Sequence, residues 1–415
     1  MSLAHVLEHH RVIVTVGSGG VGKTTTAAAL AMHAAMQGRR TVCLTIDPAR
    51  RLANSLGLDA MTTDEQDVSK EIFASFGLEP KGSLSAMMLD TKRTFDDLVA
   101  RNASSDEARD RILHNRIYQY VSKSLAGTQE YMALEKLYAV RKDPKWDTIV
   151  LDTPPTSNAL DFLDAPERLV DAIDSQAMRW FIQAFEGAGR LSFGLLGKGA
   201  QLVAKALAKF TGGEFLEQVA EFVTGLNDLF GGFKERAAEV SAALRSPDVA
   251  FIVVTSPDPM AIHEAVVFSD RLEGAGMRRD GVVINAVRTL IAEPSATDAE
   301  VEAAARAALP PEIDAKDAVE RMWRALDHER TQAIAHRIEA DRLRMRIGEG
   351  TTFVEVPALE TDVHDLGGLA QIARYLMTDA DLQHREAARA LAAEREPNAA
   401  TGAAAGAGRG PQEGA

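Results

Sequence analysis

One short segment near the start of the sequence, residues 17–25, has residue types and a spacing that suit phosphate binding. It reads GSGGVGKTT and contains the pattern G-x-x-x-x-G-K-[ST]. In such a loop the glycines let backbone N–H groups converge on phosphate oxygens, the lysine neutralises the terminal phosphates, and the following hydroxyl can bind magnesium. The predicted binding residues are Gly17, Gly19, Gly20, Val21, Gly22, Lys23, Thr24 and Thr25.

The same glycines also fit G-x-G-x-x-G, the signature of dinucleotide binding, with Asp47 near the position of a ribose-binding acid. That interpretation gives no role to Lys23 and Thr24, whereas binding of a triphosphate requires both. The segment therefore favours a P-loop over a dinucleotide site.

Two aspartates that follow apolar runs are expected to serve the same phosphates. Asp152 ends the run Thr148–Leu151 and is expected to reach the magnesium shell through water. Asp47 follows the run Thr41–Ile46, at the edge where open α/β sheets bind ligands, and is expected to direct the attacking water. Lys23 and Asp47 are the predicted catalytic residues. The plainer alternatives are a strand-end turn for Asp152 and a helix cap for Asp47.

The elements that must position these residues alternate between strands and helices. Val12–Val16 is a β-branched run directly before the loop, and Thr24–Met36 is an alanine-rich helical stretch directly after it. Helical segments separate the later apolar runs, which predicts an α/β P-loop NTPase with a doubly wound, mostly parallel sheet. The further strands are expected at Thr41–Ile46, Thr148–Leu151, Phe251–Thr255, Val282–Ile284 and Phe353–Val356.

The rest of the chain predicts one large domain over residues 1–392, with a helical insertion at residues 160–245. Residues 293–348 suit a charged helical hairpin, interrupted by Pro310 and Pro311. Residues 393–415 are rich in Ala and Gly, and we expect them to be a disordered tail.

The overall composition excludes several classes of partner. Sixty acidic against 46 basic residues give a net charge of -14, so we expect no nucleic acid to bind. Cys43 is the single cysteine, which leaves no cysteine pair to hold zinc. No signal-like segment and no apolar run of about 20 residues is present, so a cytoplasmic location is expected.

Taken together, these segments resemble the ArsA/GET branch of the deviant Walker A P-loop ATPases, over most of residues 10–380. This branch includes arsenite-pump ATPases and targeting ATPases for tail-anchored membrane proteins. Residues 17–25 resemble the family's GKGGVGKTT, residues 46–49 its first switch, and residues 152–156 its second switch, DTAPT.

The resemblance implies Mg²⁺ and ATP as cofactors, and a homodimer. Val283-Ile284-Asn285 resembles the family segment whose asparagine contacts adenine, which implies this role for Asn285. The resemblance also implies that Pro357 lies in a segment that closes over the base. An amide can both donate and accept hydrogen bonds, which suits adenine. A strand-end turn residue is the alternative interpretation of Asn285.

The sequence also departs from the family pattern at three places. Ser18 replaces the lysine that reaches the partner's phosphates, and Ser157-Asn158 replaces Gly-His in the second switch. With Cys43 alone, the chain can form within itself neither the dimer-bridging zinc site nor a three-thiolate arsenite site, so we expect no zinc.

The resulting hypothesis is an ATPase whose two switches move a helical subdomain, which binds or targets a hydrophobic protein client or a membrane-protein partner. The Met and Phe residues between Met178 and Phe230 would form the client groove, although internal packing explains them as well. Two other functions stay open: an ATPase that drives an arsenite or anion pump, and a nucleotide-dependent binding module with little hydrolysis.

Overall fold

The structure, a computed structural model, is built around one large β-sheet. It describes residues 2–46, 51–116, 118–119, 122, 128–153, 159–176, 222, 232–292, 295–348 and 350–378. The strands of this sheet are β1 (Val12–Val16), β2 (Arg40–Thr45), β3 (Gln66–Asp67), β4 (Ser83–Met88), β5 (Thr148–Asp152), β6 (Val249–Thr255), β7 (Arg279–Val287) and β8 (Thr352–Pro357).

The order of the strands across the sheet is β3-β4-β2-β5-β1-β6-β7-β8. All neighbouring strands run parallel except β3 and β4 at one edge. This order puts β1 at the centre, between β5 and β6, with five fully buried residues. The predicted α/β fold with a mostly parallel sheet is confirmed.

Helices cover both faces of the sheet. Those named by their end residues are α1 (Ala4–His9), α2 (Lys23–Met36), α3 (Arg51–Ser55), α4 (Lys70–Ser75), α5 (Thr91–Asn102), α6 (Asp106–His114), α7 (Thr128–Arg141), α8 (Ala159–Asp174), α10 (Pro259–Gly274), α11 (Asp298–Ala308), α12 (Ala315–Ile347) and α13 (Leu366–Met377). One further helix, α9, covers residues 232–244. Two hydrophobic cores result: α1, α2 and α13 pack on one face, and α5, α7, α9 and α10 pack on the other.

The alanine-rich composition of α2 follows from its central place. The helix contacts β2 and β5 on one side and α13 on the other. Every residue from Thr26 to Ala35 is buried except His33. Small side chains allow the helix backbone to approach both neighbours closely, and alanine also has the strongest intrinsic preference for a helix. The loop that precedes α2 is therefore attached to a helix that is fixed on two sides.

Several sequence expectations can be compared with these bounds. The predicted hairpin is present as α11 and α12, which pack together, and Thr297 and Glu300 form a capping box at the start of α11. The predicted insertion begins with α8 and ends with α9, both helical, while residues 177–221 and 223–231 lie outside the described residues. The predicted tail lies wholly outside them, so the domain limits stay a prediction.

A buried ion pair joins α9 to α7 within the second core. Glu135 on α7 is fully buried and accepts hydrogen bonds from Nε and Nη2 of Arg236 on α9, at 2.8–2.9 Å. The Arg236 guanidinium also lies 4.2 Å from the ring centre of Tyr138 and donates to Glu239. The carboxylate is therefore held by a planar, bidentate partner, the geometry in which a buried pair is best compensated for lost water.

We expect Glu135→Gln to lower the free energy of unfolding by about 2–3 kcal/mol, because it leaves a largely buried guanidinium with only the half-exposed Glu239 as counter-charge. The matched control is Asp147→Asn, which neutralises the exposed pair between Arg40 and Asp147, whose side chains are 54% and 40% exposed. That variant should cost less than about 1 kcal/mol. Urea denaturation of both variants measures the two losses, and a larger loss for Asp147→Asn would contradict the ranking.

Candidate nucleotide-binding site

The candidate site lies where the central strands end. In the register of the sheet, Thr15 of β1 and Thr45 of β2 both lie opposite Asp152 of β5. Residues in register on neighbouring strands point to the same face, which here is the face covered by α2. The parallel sheet thus brings two hydroxyls and one carboxylate together at the carboxyl ends of its central strands, next to the loop that joins β1 to α2.

The glycines of this loop occupy positions where a residue with a side chain would be strained or would clash with its neighbours. Gly17 has φ of 151°, and a Cβ there would lie 2.0 Å from the carbonyl oxygen of Val254. Gly22 has φ of 93°, and a Cβ there would lie 2.2 Å from Nδ2 of Asn285. Gly20 has φ of 78° but open space around it. Left-handed backbone is what glycine adopts without strain, so the loop takes its shape from these residues.

The start of α2 combines a cationic side chain with unsatisfied backbone donors. Gly22 is the N-cap residue of the helix and provides no side-chain cap. The first N–H groups of a helix have no partner within the helix, and the helix dipole makes this end positive. Lys23 is 6% exposed, and its Nζ donates to the backbone carbonyl of Ser18 across the loop at 2.6 Å. The loop therefore holds an ammonium group and convergent amides together, as phosphate binding requires.

The magnesium ligands expected from the sequence meet in the structure. The Thr24 hydroxyl donates to Oδ2 of Asp152 at 2.8 Å, and the Thr45 hydroxyl donates to the same oxygen at 3.1 Å. Asp152 is 1% exposed. Magnesium prefers hard oxygen ligands, so a hydroxyl and a carboxylate beside the phosphate loop fit this ion. Sequence reasoning missed Thr45, although its place at the end of a strand beside β5 was a usable signal.

Asn285 contacts the phosphate loop directly. Its Nδ2 donates to the backbone carbonyl of Val21 at 2.9 Å. The next residue, Ala286, has φ of 58°, and the pairing of β7 with β8 shifts register between Ile284 and Val287. Such bulges re-aim a side chain at the end of a strand. The sequence did not predict this contact, because a bulge on β7 has no clear sequence signal.

Pro357 lies at the end of the neighbouring strand. It is the last residue of β8 and pairs with Val287, whose carbonyl accepts a hydrogen bond from Ala358 N–H at 2.9 Å. Asn285 and Pro357 are therefore both at the carboxyl end of the β7–β8 pair, on the same edge as the phosphate loop. Their roles toward adenine stay predictions.

Parts of both switches lie outside the described residues. These parts are residues 47–50, which include Asp47, and residues 154–158. The start of the second switch is described: Thr153 is buried, and its hydroxyl donates to the backbone carbonyl of Thr15 at 2.8 Å. The role of Asp47 as a catalytic residue therefore stays a prediction from the sequence.

Cys43 is enclosed in the sheet below this site. It is fully buried on β2, and burial together with the charge of Asp152 raises the pKa of its thiol far above the usual range. Because the thiolate is the form that binds soft metals, this residue is not suited to zinc or arsenite.

Comparison with known proteins agrees with this geometry. The model of the anion-transporting ATPase family, ArsA, matches residues 10–309, which include the loop, Asp152 and Asn285. The chain belongs to this ATPase family. The relatives include ATPase GET3 of Chaetomium globosum, 26% identical over 276 residues, and ATPase get3 of Aspergillus terreus, 26% identical over 277 residues. Each alignment covers 66% of this chain and 72% of the relative.

These matches confirm the ArsA/GET resemblance and establish the activity as ATP hydrolysis. ATP is accordingly the nucleotide for the phosphate loop. None of the described helices combines the length and the apolar character needed to traverse a lipid bilayer.

Alanine substitutions at three loop glycines should lower ATP affinity in a graded order. Gly20→Ala adds only left-handed strain, about 1–2 kcal/mol, because nothing lies within 4 Å of its new Cβ. Gly22→Ala adds the same strain and forces Asn285 off Val21, so we expect affinity at least about tenfold below that of Gly20→Ala. Gly17→Ala meets the backbone of Val254 and should be the most severe.

Titration with a fluorescent ATP analogue measures the affinities, and thermal melting reports the folding of each variant. Equal affinities for Gly20→Ala and Gly22→Ala would show that the contact between Asn285 and Val21 does not support the loop.

Proposed function

We propose that this ATPase uses hydrolysis of Mg-ATP to move its helical insertion, and that the insertion binds a hydrophobic protein client. The observation that supports the catalytic half is the meeting of Thr24, Asp152 and Thr45 beside the loop that holds Lys23. In this proposal Lys23 and the loop amides bind the phosphates, and Asp47 aligns the attacking water. Bound magnesium would supply positive charge to the β- and γ-phosphate oxygens.

The hydrogen bonds around Asp152 suggest how Thr24 would serve the ion. A hydroxyl has one donor and two lone pairs. Because the Thr24 proton is directed to Asp152, the lone pairs of the same oxygen remain available to a cation. The second hydrogen bond, from Thr45, fixes the carboxylate that orients Thr24. The two threonines thus have different parts: Thr24 would bind the ion, while Thr45 positions Asp152.

The connection from the site to the insertion is short. Asp152 is followed by Thr153, which is tied to β1 through the carbonyl of Thr15. Residues 154–158 then lead directly into α8, the first helix of the predicted insertion. The far end of the insertion, α9, is fastened to α7 by Glu135 and Arg236. Two ion pairs, Asp174 with Lys234 and Glu167 with Arg245, in turn join α8 to α9 and the residue after it. A change at Asp152 on nucleotide binding would therefore reach α8 and pass through these pairs to α9, a connection that can convert nucleotide state into movement.

Two features support a client of hydrophobic character. The insertion holds seven of the chain's 15 phenylalanines between Met178 and Phe230, and large apolar side chains of this kind suit apolar partners. The relatives named ATPase GET3 favour the targeting interpretation suggested by the resemblance. We also propose that the chain works as a homodimer in the cytoplasm.

Two substitutions should separate binding from turnover. Lys23→Ala should abolish tight ATP binding, because it removes the ammonium from the phosphate loop. Asp47→Asn should retain ATP affinity and lower kcat by about 100-fold or more, as expected when a group that directs water is lost. Phosphate release and nucleotide titration measure the two properties. Normal turnover in Lys23→Ala would contradict the assigned site, and loss of binding in Asp47→Asn would make this residue structural or a metal ligand.

The client half is tested by placing charge in the insertion. The double variant Met178→Asp with Phe181→Asp should weaken binding of a fluorescent peptide of about 20 apolar residues, the length of a membrane-spanning helix. Met345→Asp is the matched control, because Met345 is 77% exposed on α12, outside the insertion. Fluorescence anisotropy with ADP and with ATP reports binding. A large fall in melting temperature without a change in peptide affinity would show that the two residues are core.

A further inference from the structure

We propose that α1 carries a surface site for a divalent transition-metal ion of the Zn²⁺, Ni²⁺ and Cu²⁺ class, formed by His5, Glu8 and His9. One ligand atom from each of these side chains lies within 4.8 Å of the other two. Among the described residues this is the one group of three such side chains that meets this distance.

The donor set and its spacing select this class of ion. Glu8 and His9 follow His5 by three and four residues, so a helix places both beside His5 on one face. Two histidines four residues apart on one helix face are a recurring zinc-binding arrangement. Imidazole suits zinc, copper and nickel, whereas magnesium and calcium prefer oxygen ligands alone. The site therefore differs in metal preference from the oxygen-rich site at Thr24 and Asp152.

One histidine makes a hydrogen bond that favours a metal-binding tautomer. Nδ1 of His9 lies 2.9 Å from the carbonyl oxygen of His5. A carbonyl can only accept a hydrogen bond, so in the neutral ring this contact places the proton on Nδ1 and leaves the lone pair on Nε2. Metal-binding histidines commonly have this second hydrogen bond to a backbone carbonyl, which fixes the ring. The His5 and His9 rings are neighbours, with centroids 4.0 Å apart.

The opposite face of α1 anchors the helix. Leu3, Val6 and Leu7 are at most 4% exposed and belong to the core formed with α2 and α13. The end of the helix is held by Arg39, which donates to the carbonyl of Glu8, and by His10, whose Nδ1 bonds to the carbonyl of Val6. The ligand-bearing face is thus presented by a fixed backbone, so that binding a metal orders only side chains.

The surroundings leave room for a further ligand. Glu8 and His9 line an open pocket of about 580 Å³ at the amino end of the strands. Two arginines, Arg11 and Arg39, face three carboxylates, Glu8, Asp147 and Asp248, in the lining of that pocket. Three protein ligands with an accessible fourth position are a common zinc arrangement. The single cysteine argues against a thiolate zinc site, whereas a site of imidazole and carboxylate ligands needs no cysteine.

The proposed site is remote from the site of hydrolysis. It precedes the amino end of β1, whereas the phosphate loop follows the carboxyl end, roughly 16 Å away along the strand. Metal binding at α1 can therefore be measured separately from ATP turnover.

The test is calorimetric titration of Zn²⁺ into the full chain, stripped of metal, purified without a histidine tag and kept in excess Mg²⁺ to occupy oxygen sites. We expect one Zn²⁺ per chain. His5→Ala and His9→Ala should each weaken binding at least about tenfold, since losing a direct ligand should cost no less than losing an outer-shell partner. ATP turnover of both variants should equal that of the native chain.

The matched control is His114→Ala. His114 is also exposed, and its Nδ1 makes the same bond to the carbonyl four residues earlier, Asp110, at 2.7 Å. Within the part of the chain that the structure describes, it belongs to no group of three ligands, so its removal should leave Zn²⁺ affinity unchanged. Absence of Zn²⁺ binding, native affinity in His5→Ala or His9→Ala, or an equal loss in His114→Ala would overturn the proposal.

Discussion

The carboxylate of Asp152 is the interaction on which the site depends. It is buried at the end of β5 and accepts hydrogen bonds from Thr24 on α2 and Thr45 on β2. A charge in that position is tolerable only when donors surround it, so the ends of two strands and the start of one helix must lie together. The parallel register of β1, β2 and β5 provides this arrangement, and the phosphate loop is held beside it as a consequence.

Much of this architecture could be predicted because several signals agreed. The β-branched run before the loop and the alanine-rich run after it gave β1 at its observed bounds and α2 within one residue. β4 was not predicted, because Ser83–Met88 contains no β-branched residue and its alternation of serine with apolar residues is brief. β3 is only two residues long and exists through its pairing with β4.

The site was predictable to a different degree at each residue. Lys23, Thr24 and Asp152 belong to local motifs, and their meeting follows from strand order. The contact of Asn285 with Val21 joins residues 264 positions apart and depends on the positive φ of Ala286. Because alanine rarely adopts this conformation, its presence in the sequence gives no sign of it. Likewise, the pairing of Glu135 with Arg236 could not be predicted, because charged residues on helices are usually solvated and only tertiary packing shows which pair is enclosed.

The enclosure of Cys43 has a practical consequence for physical study of this ATPase. Its sulfur is the only thiol in the chain, and it lies within the sheet with no exposed surface. Maleimide dyes and spin labels need an accessible thiolate, so the native chain should remain unlabelled under folded conditions. A cysteine introduced on α8 or α12 would then be the single reactive point. With one cysteine introduced on each of these helices, the distance between the two labels could follow the insertion through a nucleotide cycle, and Cys43 would not have to be replaced first.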